Sequence, residues 1–283
     1  MSTPSKAVLI TGCSSGIGRA TALRLARAGW RVYATARRPE ALAELRDAGA
    51  QTLALDVTDE GSMRAAVDRV EALDGAVGVL INNAGYSQSG AIETVPLEAV
   101  RRQFETNVFG LVRLTQLVLP MMRAQRWGRI VNVGSMGGRL SFPGGGHYHA
   151  TKHALEALSD ALRFELRGFG IDVTLLEPGL IRTEFGEVAT ASMADVQASG
   201  GDPYGTFNAT VGAVTKGAYE GPMRLLGGGP DRVAKTIERT LKRKHPPARI
   251  TITPSAKIML GLRRVTPDRA WDAAMRAQFP QPR

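Results

Sequence analysis

The sequence has a single cysteine, few aromatic residues and no long hydrophobic run. Cys13 has no partner for an intramolecular disulfide, which favours a reducing compartment. No uninterrupted apolar segment approaches the roughly 20 residues that a membrane span requires. The first apolar strand begins at Ala7 and a glycine-rich turn follows at once, which leaves no room for the hydrophobic region of a signal peptide. These absences predict a cytoplasmic protein with no integral membrane segment.

Acidic residues are scarce toward the C-terminus. The chain carries a net charge of +10, and residues 191–283 hold 15 Lys/Arg against 7 Asp/Glu. Such a balance suits nucleic acid or an anionic membrane surface. The basic run at residues 242–245 is short, however, no nucleic-acid motif accompanies it, and aromatic residues make up only 6% of the chain. A solvated basic face is therefore favoured, and no nucleic-acid partner is expected.

What the chain does contain is a regular alternation of apolar strands and amphipathic helices. Strands are predicted at residues 6–11, 31–36, 51–55, 77–81, 128–134, 171–176 and 248–253. Helices are predicted at residues 19–28, 40–48, 58–73 (with Thr58 as N-cap), 97–126, 148–169, 231–241, 258–262 and 268–278. This order predicts an α/β fold: a single Rossmann-type, doubly wound domain over residues 1–283, with a parallel sheet of about seven strands and helices on both faces.

Residues 184–229 interrupt the alternation. They are rich in Gly, Ala, Thr and Ser, with scattered large apolar side chains. A long irregular stretch inside a compact domain is usually a lid or disordered. We therefore expect a substrate-binding lid at residues 184–229, followed after the last strand by a C-terminal extension at residues 254–283.

A glycine-rich turn, Gly12-Cys13-Ser14-Ser15-Gly16-Ile17-Gly18, joins the first strand to the first helix. Small residues let the backbone approach a pyrophosphate, and the following helix supplies N–H groups and a positive dipole. The spacing is Gly-x-x-x-Gly-x-Gly, and a tight turn without a ligand is the alternative.

Arg37 and Arg38 follow the second strand, where an NAD-selective fold carries a carboxylate for the ribose 2′-hydroxyl. Guanidinium groups at this place suit a 2′-phosphate, which they can bind bidentately. The alternative is an exposed arginine pair at the start of the next helix. The preceding glycine turn favours NADP(H).

Tyr148 and Lys152 lie one turn apart on one face of a predicted helix, with a rise of roughly 6 Å between them. Free tyrosine, with a pKa of about 10, is a poor acid or base at neutral pH. An adjacent cation favours the phenolate and lowers the pKa of the phenol. The pair is thus either a proton-transfer device or a chance spacing on a helix surface.

Six motifs occur in order: Thr11-Gly12-x-x-x-Gly16-Ile17-Gly18, Asn82-Asn83-Ala84-Gly85, Asn107, Ser135, Tyr148-x-x-x-Lys152, and Pro178-Gly179 with Thr183. Each is weak alone, but the ordered set is specific because every member falls at a strand end or a helix start. Together they resemble the short-chain dehydrogenase/reductase superfamily, over residues 6–183.

The resemblance implies a role for each matching position. Tyr148 would be the general acid/base, and Lys152 would lower the pKa of its phenol and hold the nicotinamide ribose. Ser135 would hydrogen-bond the substrate oxygen, and Asn107 would hold a water that relays protons to Lys152.

The implied cofactor residues span the same motifs. Gly12, Ser14, Ser15, Gly16 and Gly18, with Ile17, would form the pyrophosphate turn, and Asp56 and Val57 would flank adenine. Further positions would line the cofactor or place the nicotinamide carboxamide: Asn83, Ala84, Gly85, Pro178, Gly179, Ile181 and Thr183. Ser15 occupies a place where NADP-dependent members often carry a basic residue, so the NADP(H) prediction depends mainly on Arg37. No metal site is predicted.

The lid, the extension and the glycine-turn sequence resemble members that act on steroids and retinoids. We therefore expect an NADP(H)-dependent oxidoreductase that interconverts an alcohol and its ketone or aldehyde, with a bulky, apolar small-molecule substrate. The alternatives are a 3-ketoacyl carrier-protein reductase and a non-catalytic NADP-binding sensor or scaffold. The resemblance also implies a homodimer or homotetramer. His147 and His149 flank Tyr148 and are expected in loop contacts or solvent, with no catalytic role. Cys13 is expected to be a small packing residue.

Overall fold

Seven parallel strands form one sheet, as the sequence predicts; numbered along the chain with the ranges given below, they lie in the order β3-β2-β1-β4-β5-β6-β7. The structure is a computed structural model that describes residues 3–193, 203–221 and 225–282. The strands are β1 (Val8–Ile10), β2 (Val32–Ala36), β3 (Gln51–Ala54), β4 (Val79–Asn82), β5 (Gly128–Val133), β6 (Ile171–Pro178) and β7 (Arg249–Ile252). The strand order reverses between β1 and β4, and a doubly wound sheet binds its ligands at such a switch point.

Helices cover both faces of the sheet. They are α1 (Gly16–Arg27), α2 (Ala43–Asp47), α3 (Glu60–Asp74), α4 (Leu97–Phe104), α5 (Gly110–Ala124), α6 (Gly146–Leu166), α7 (Phe185–Ala191), α8 (Gly205–Glu220), α9 (Pro230–Leu241), α10 (Pro254–Val265) and α11 (Asp268–Gln278). Val8 and Ile10 pack with the α1 and α9 side, whereas Leu9 packs with the α3 and α5 side. Burial on both faces explains why the first strand shows no polar alternation.

The predicted long helix at residues 97–126 is divided by a wider, π-type turn at Glu105–Phe109 between α4 and α5. Pro120 lies inside α5 and does not end it. Gly110 starts α5 against the carbonyl of Val57, and a Cβ at this position would lie 2.2 Å from that oxygen. Only glycine allows this approach, which brings the helix close to the end of β3. The predicted N-cap of α3 was wrong by one residue, because the side chain that caps the helix belongs to Asp59 and not to Thr58.

Residues 184–229 were expected to be irregular. That expectation is wrong for the described part, which contains α7 and α8. Residues 194–202 and 222–224 lie outside the described residues. Tertiary packing stabilises these helices: Val211 of α8 packs with Met193 and with Phe279 after α11. The C-terminal extension therefore folds against the segment predicted to be the lid.

Cys13 is fully buried in the glycine turn, where its thiol donates to the carbonyl of Ile10 over 3.3 Å. Burial raises the pKa of this thiol to about 12. The cysteine is thus a packing residue, as predicted. Within the described residues, no helix is long and apolar enough to cross a membrane, and no group of three or more His, Cys, Asp or Glu side chains could hold a metal ion.

Candidate active site

A cavity of about 1250 Å³ opens at the carboxyl ends of the central strands. It brings together most of the predicted site residues, which are Gly12, Ser14, Ser15, Gly16, Ile17, Arg37, Asp56, Val57, Asn83, Ala84, Gly85, Ser135, Tyr148, Lys152, Pro178, Gly179, Ile181 and Thr183. Two predicted residues, Gly18 and Asn107, lie behind its wall and do not line it.

The glycine turn is shaped for a close backbone approach. Gly12 and Gly16 have φ values of +69° and +55°, which glycine adopts without strain. A Cβ on Gly18 would lie 2.2 Å from the Gly12 carbonyl oxygen, so Gly18 serves helix–turn packing and not ligand contact. Ser15 is the N-cap of α1 but makes no capping hydrogen bond with its side chain. The first N–H groups of α1 are therefore available to an anion such as a pyrophosphate.

Thr11 and Asn83 fix this turn to the end of β4. The Thr11 hydroxyl accepts hydrogen bonds from the backbone N–H groups of Asn83 (2.9 Å) and Ala84 (3.0 Å). In return, the Asn83 amide donates to the carbonyls of Thr11 (2.9 Å) and Gly12 (3.0 Å). Asn83 thus braces the cofactor turn as well as lining the cavity. Thr11 belongs to the sequence motif, but its role as a brace was missed.

The far end of the cavity lies beyond β2 and β3. Arg37 is exposed and lines the cavity, whereas Arg38 does not line it. The Asp56 carboxylate accepts from the N–H (2.9 Å) and the hydroxyl (2.8 Å) of Thr58, which fixes its orientation. An exposed guanidinium and an anchored carboxylate therefore lie on the same wall, about where the resemblance places the adenosine part of a dinucleotide.

Tyr148 and Lys152 lie one turn apart on α6, as their spacing predicts. The Lys152 Nζ atom is 5.7 Å from the centre of the Tyr148 ring and donates to the Val133 carbonyl over 2.9 Å. Burial lowers the pKa of Lys152 to about 8. The same burial raises the pKa of Tyr148 above its ordinary value of 10. Desolvation is the largest influence on the pKa of Tyr148, and the expected lowering by Lys152 stays a prediction.

Ser135 lies at the end of β5, beside Tyr148. Its Oγ atom accepts from the N–H of Gly137 over 3.0 Å, which leaves its proton for another acceptor. Hydrogen bonding between Ser135 and Tyr148 favours the phenolate and partly offsets the effect of burial on the pKa of Tyr148. Two hydroxyls therefore converge at one point of the cavity, which suits a single carbonyl or alcohol oxygen.

Asn107 lies in the π-type turn and is buried beside this centre. Its amide oxygen accepts from the N–H of Tyr86 (3.1 Å), and its amide nitrogen donates to the Tyr86 carbonyl (2.9 Å) and to the Thr151 hydroxyl (3.1 Å). The side chain thus ties the loop after β4 to α6. Wide turns of this kind often occur at functional sites, because they aim a side chain that a regular helix would misplace.

The remaining part of the cavity is largely apolar. The ring of Phe185 lies 5.4 Å from that of Tyr148, and Tyr219 of α8 packs against Gly186. Other residues of this part come from the loop after β5, from α7 and α8, and from the extension; they are Phe142, Val188, Ala189, Val211, Val214, Ala218, Met259 and Phe279. None was named singly from sequence, although those within 184–229 belong to the segment expected to bind the substrate.

His149 makes the loop contacts that the sequence predicts and does not face solvent. It is 7% exposed and lines the cavity. Its Nδ1 atom lies 3.0 Å from the Gly137 carbonyl oxygen. Its ring is 5.7 Å from the Tyr148 ring and 5.9 Å from that of Phe142. Neighbouring residues of a helix point apart, but the loop 135–146 packs on α6 and contacts the His149 ring beside Tyr148.

Known proteins share these features. A family model described as short chain dehydrogenase matches residues 6–194. YusZ, an uncharacterized oxidoreductase of Bacillus subtilis (strain 168), is 36% identical over 283 residues, which cover 97% of this chain and 98% of the relative. A 3-ketodihydrosphingosine reductase of Bacteroides thetaiotaomicron is 35% identical over 253 residues, covering 89% of each chain. An NADPH-dependent 3-dehydrocapnine reductase of Ornithobacterium rhinotracheale is 33% identical over 275 residues, covering 93% of this chain and 94% of the relative.

Solved structures agree with the fold. A short-chain dehydrogenase from Streptomyces avermitilis has a TM-score of 0.77 and 37% identity, covering 98% of this chain and 99% of that one. A serine dehydrogenase complexed with NADP⁺ (TM-score 0.76) and a short-chain dehydrogenase/reductase from Burkholderia phymatum in complex with NAD (TM-score 0.77) are both 27% identical. They cover 88% and 92% of this chain, and 94% and 93% of their own.

Proposed function

Because the chain belongs to the short-chain dehydrogenase/reductase family of oxidoreductases, we propose that it interconverts an alcohol and its ketone or aldehyde with NADP(H). The observation that carries the proposal is the convergence of Tyr148, Ser135 and Lys152 at one point of a cavity large enough for a dinucleotide and a substrate. The similar structures hold NADP⁺ or NAD, which supports a nicotinamide dinucleotide cofactor. The residues present fit such a group, since the glycine turn lines the cavity and the start of α1 lacks a side-chain cap.

In the reducing direction, Tyr148 would donate its phenolic proton to the carbonyl oxygen while the Ser135 hydroxyl donates a hydrogen bond to the same oxygen. The cofactor, when bound, supplies the hydride. The raised pKa of Tyr148 keeps the phenol protonated at neutral pH, which suits a proton donor. Lys152 would favour the phenolate left on Tyr148 and hold the nicotinamide ribose. Tyr148 would regain its proton through Lys152 and a water held by Asn107.

A preference for NADP(H) rests on Arg37. It lines the cavity next to Ala36 at the end of β2. The residues there, Ala36-Arg37-Arg38, include none of the carboxylates that an NAD-selective site carries at this place. A guanidinium is well matched to the 2′-phosphate that distinguishes NADP from NAD. The name of the Ornithobacterium relative, an NADPH-dependent reductase, supports the same choice.

The proposed substrate is bulky and apolar, since aromatic and aliphatic side chains line the cavity beyond Tyr148. A steroid- or retinoid-like molecule is the first candidate. A long-chain 3-keto compound is the second, favoured by two relatives named 3-ketodihydrosphingosine reductase and 3-dehydrocapnine reductase. A carrier-protein substrate and a non-catalytic sensor are weaker proposals. The apolar walls do not require a carrier, and a sensor has no use for Tyr148, Ser135 and Lys152 together.

We also propose a homodimer or homotetramer built on the long helices. Phe164 of α6 is 84% exposed and Phe109, just before α5, is 53% exposed. Large exposed aromatic side chains on neighbouring helices are typical of a surface that a second copy covers.

The test is a panel of steroid, retinoid and long-chain aliphatic ketones and alcohols, each with NADPH/NADP⁺ and NADH/NAD⁺, followed by nicotinamide absorbance. Turnover of a bulky carbonyl with NADPH is expected. No turnover with any compound would sink the enzyme proposal, whereas turnover with NADH alone would sink only the role of Arg37.

A further inference from the structure

We propose that His149 is a positioning residue that holds the Ser135 hydroxyl in place through the peptide groups of Gly137. This inference rests on the proposed function, in which His149 has no role. His149 follows Tyr148 directly, so the same turn of α6 that presents the acid/base also presents its side chain.

The geometry of the contact fixes the state of the imidazole. The Gly137 carbonyl can only accept a hydrogen bond, so the Nδ1 atom 3.0 Å away carries the proton. Burial lowers the pKa of His149 to about 4, which leaves the ring neutral at neutral pH. A neutral ring with its proton on Nδ1 has an unprotonated Nε2, so the histidine acts here as a hydrogen-bond donor toward the loop.

Gly137 passes this restraint to Ser135. Its carbonyl accepts from His149, and its N–H donates to Ser135 Oγ over 3.0 Å. The bond to Oγ occupies an acceptor position of the hydroxyl and directs the hydroxyl proton elsewhere. A shift of Gly137 would therefore change both the position and the direction of the Ser135 hydroxyl.

Two glycines make room for the ring. A Cβ on Gly137 would lie 2.5 Å from Nδ1, and a Cβ on Gly145 would lie 2.7 Å from Nε2. The imidazole is thus wedged between the two ends of the loop 135–146, and Phe142 lies 5.9 Å away in the middle of it. The backbone N–H of His149 also donates to the Gly145 carbonyl over 2.9 Å. Glycine at positions 137 and 145 is thus explained by the side chain between them.

The experiment compares four variants of the full chain: His149→Leu, His149→Asn, His149→Gln and the control His153→Leu. The Asn amide reaches about the place of Nδ1 and keeps the donor to Gly137, whereas the Gln amide reaches about the place of Nε2. His153 lies one turn further along α6, is exposed and does not line the cavity. Ketone reduction with NADPH, NADPH affinity and thermal stability are measured for each.

His149→Leu should lower kcat by about 10- to 100-fold with little change in NADPH affinity, since misplacing a reacting group by a fraction of a bond length costs this much. His149→Asn should keep most of the wild-type kcat, whereas His149→Gln should lose it as His149→Leu does. The control His153→Leu should match wild type. If His149→Leu does not fold, the Asn and Gln pair decides. Equal kcat in these two variants would overturn the proposal.

A double-mutant cycle with Ser135→Ala separates positioning from general stability. If His149 acts through Ser135, His149→Leu should cost little further kcat once Ser135 is alanine. Full additivity of the two losses would contradict the proposal.

Hydrogen exchange of residues 136–146, measured by mass spectrometry, gives a readout without turnover. His149→Leu should speed exchange in this loop about tenfold or more, as loss of a local restraint does, and Asn should slow it again. Unchanged exchange would overturn the inference. If wild type reduces no ketone, the proposed function fails, and the exchange result alone then decides whether His149 restrains the loop.

Discussion

Lys152 directs its ammonium group to the carbonyl of Val133, 2.9 Å away at the end of β5, while lying 5.7 Å from the centre of the Tyr148 ring. The cation is therefore anchored to the sheet and lies beside the phenol ring. Because the bond to Val133 also orients Nζ, the strand that carries Ser135 sets the position of Lys152. The end of β5 and helix α6 thus together fix the positions of Ser135, Tyr148 and Lys152.

Replacing Tyr148 by phenylalanine should abolish proton donation and leave the cofactor site intact. We expect kcat to fall by about 10³-fold or more, within the usual range for loss of a general acid. NADPH affinity, measured by fluorescence, should stay within a few-fold of wild type. Full activity of the variant would refute the assigned acid/base.

Without cofactor, the Tyr148 phenol should ionise only above pH 10, because burial raises its pKa above the ordinary value. Oxidised cofactor brings a positive charge to the ring, so NADP⁺ should move this ionisation to lower pH. The measurement is a tyrosinate absorbance titration of wild type minus Tyr148→Phe, with and without NADP⁺. An ionisation near neutral pH in the free protein would contradict the burial argument.

Lys152→Met should inactivate the protein and stabilise it. The folded pKa of Lys152, about 8, lies below its ordinary value of 10.5, so the folded state disfavours the charged form. Between these values the unfolded chain binds more protons, so the Lys152 contribution to stability rises with pH in this window. At neutral pH, methionine should add on the order of 2 kcal/mol after the lost Val133 hydrogen bond is deducted. Denaturant unfolding checks this, and a less stable variant would show that the charge is well accommodated.

Arg37→Asp should reverse the cofactor preference. We expect the KM for NADPH to rise about 10- to 100-fold, as loss of a charged hydrogen bond to phosphate implies, with little change for NADH. Arg38→Asp is the matched control, since Arg38 does not line the cavity. Equal effects of the two substitutions would indicate general electrostatics and not contact with the 2′-phosphate.

Phe279→Ala should affect bulky ketones more than small ones. Phe279 is 6% exposed and packs 6.4 Å from the Phe207 ring of α8, on the wall of the cavity. Removing its ring should raise the KM for a steroid-sized ketone several-fold while leaving a small ketone nearly unchanged. Phe169→Ala, just after α6 and outside the cavity lining, provides the control. Equal effects on both ketones would place the substrate elsewhere.

Much of the fold and the grouping of the site follow from local sequence. Uniformly apolar runs such as Val8–Ile10 predict strands buried on both faces, and parallel strands bring their carboxyl ends to one edge of the sheet. Motifs separated by more than a hundred residues, such as Gly12 and Ser135, are therefore expected to meet. The family and the fold class are confirmed, whereas the individual roles remain predictions.

What sequence missed depends on tertiary contacts. Helices α7 and α8 contain poor helix formers and are stabilised by packing, α8 against the C-terminal extension and α7 against α8. The burial of His149 could not be predicted, because the spacing along α6 does not reveal how closely the loop 135–146 packs on it. The raised pKa of Tyr148 and the lowered pKa of Lys152 could not be predicted either, because burial, their main cause, cannot be read from a four-residue spacing.

The buried thiol in the glycine turn has a practical consequence. Cys13 is the only cysteine of the chain, it is fully buried, and its raised pKa keeps it from forming the reactive thiolate. An alkylating reagent should therefore modify the native chain only when the nucleotide-binding half opens. Counting modified chains by mass spectrometry against time would report the free energy of that opening without an introduced label. Addition of NADP⁺ to the same assay would report cofactor binding as protection of a single sulfur atom.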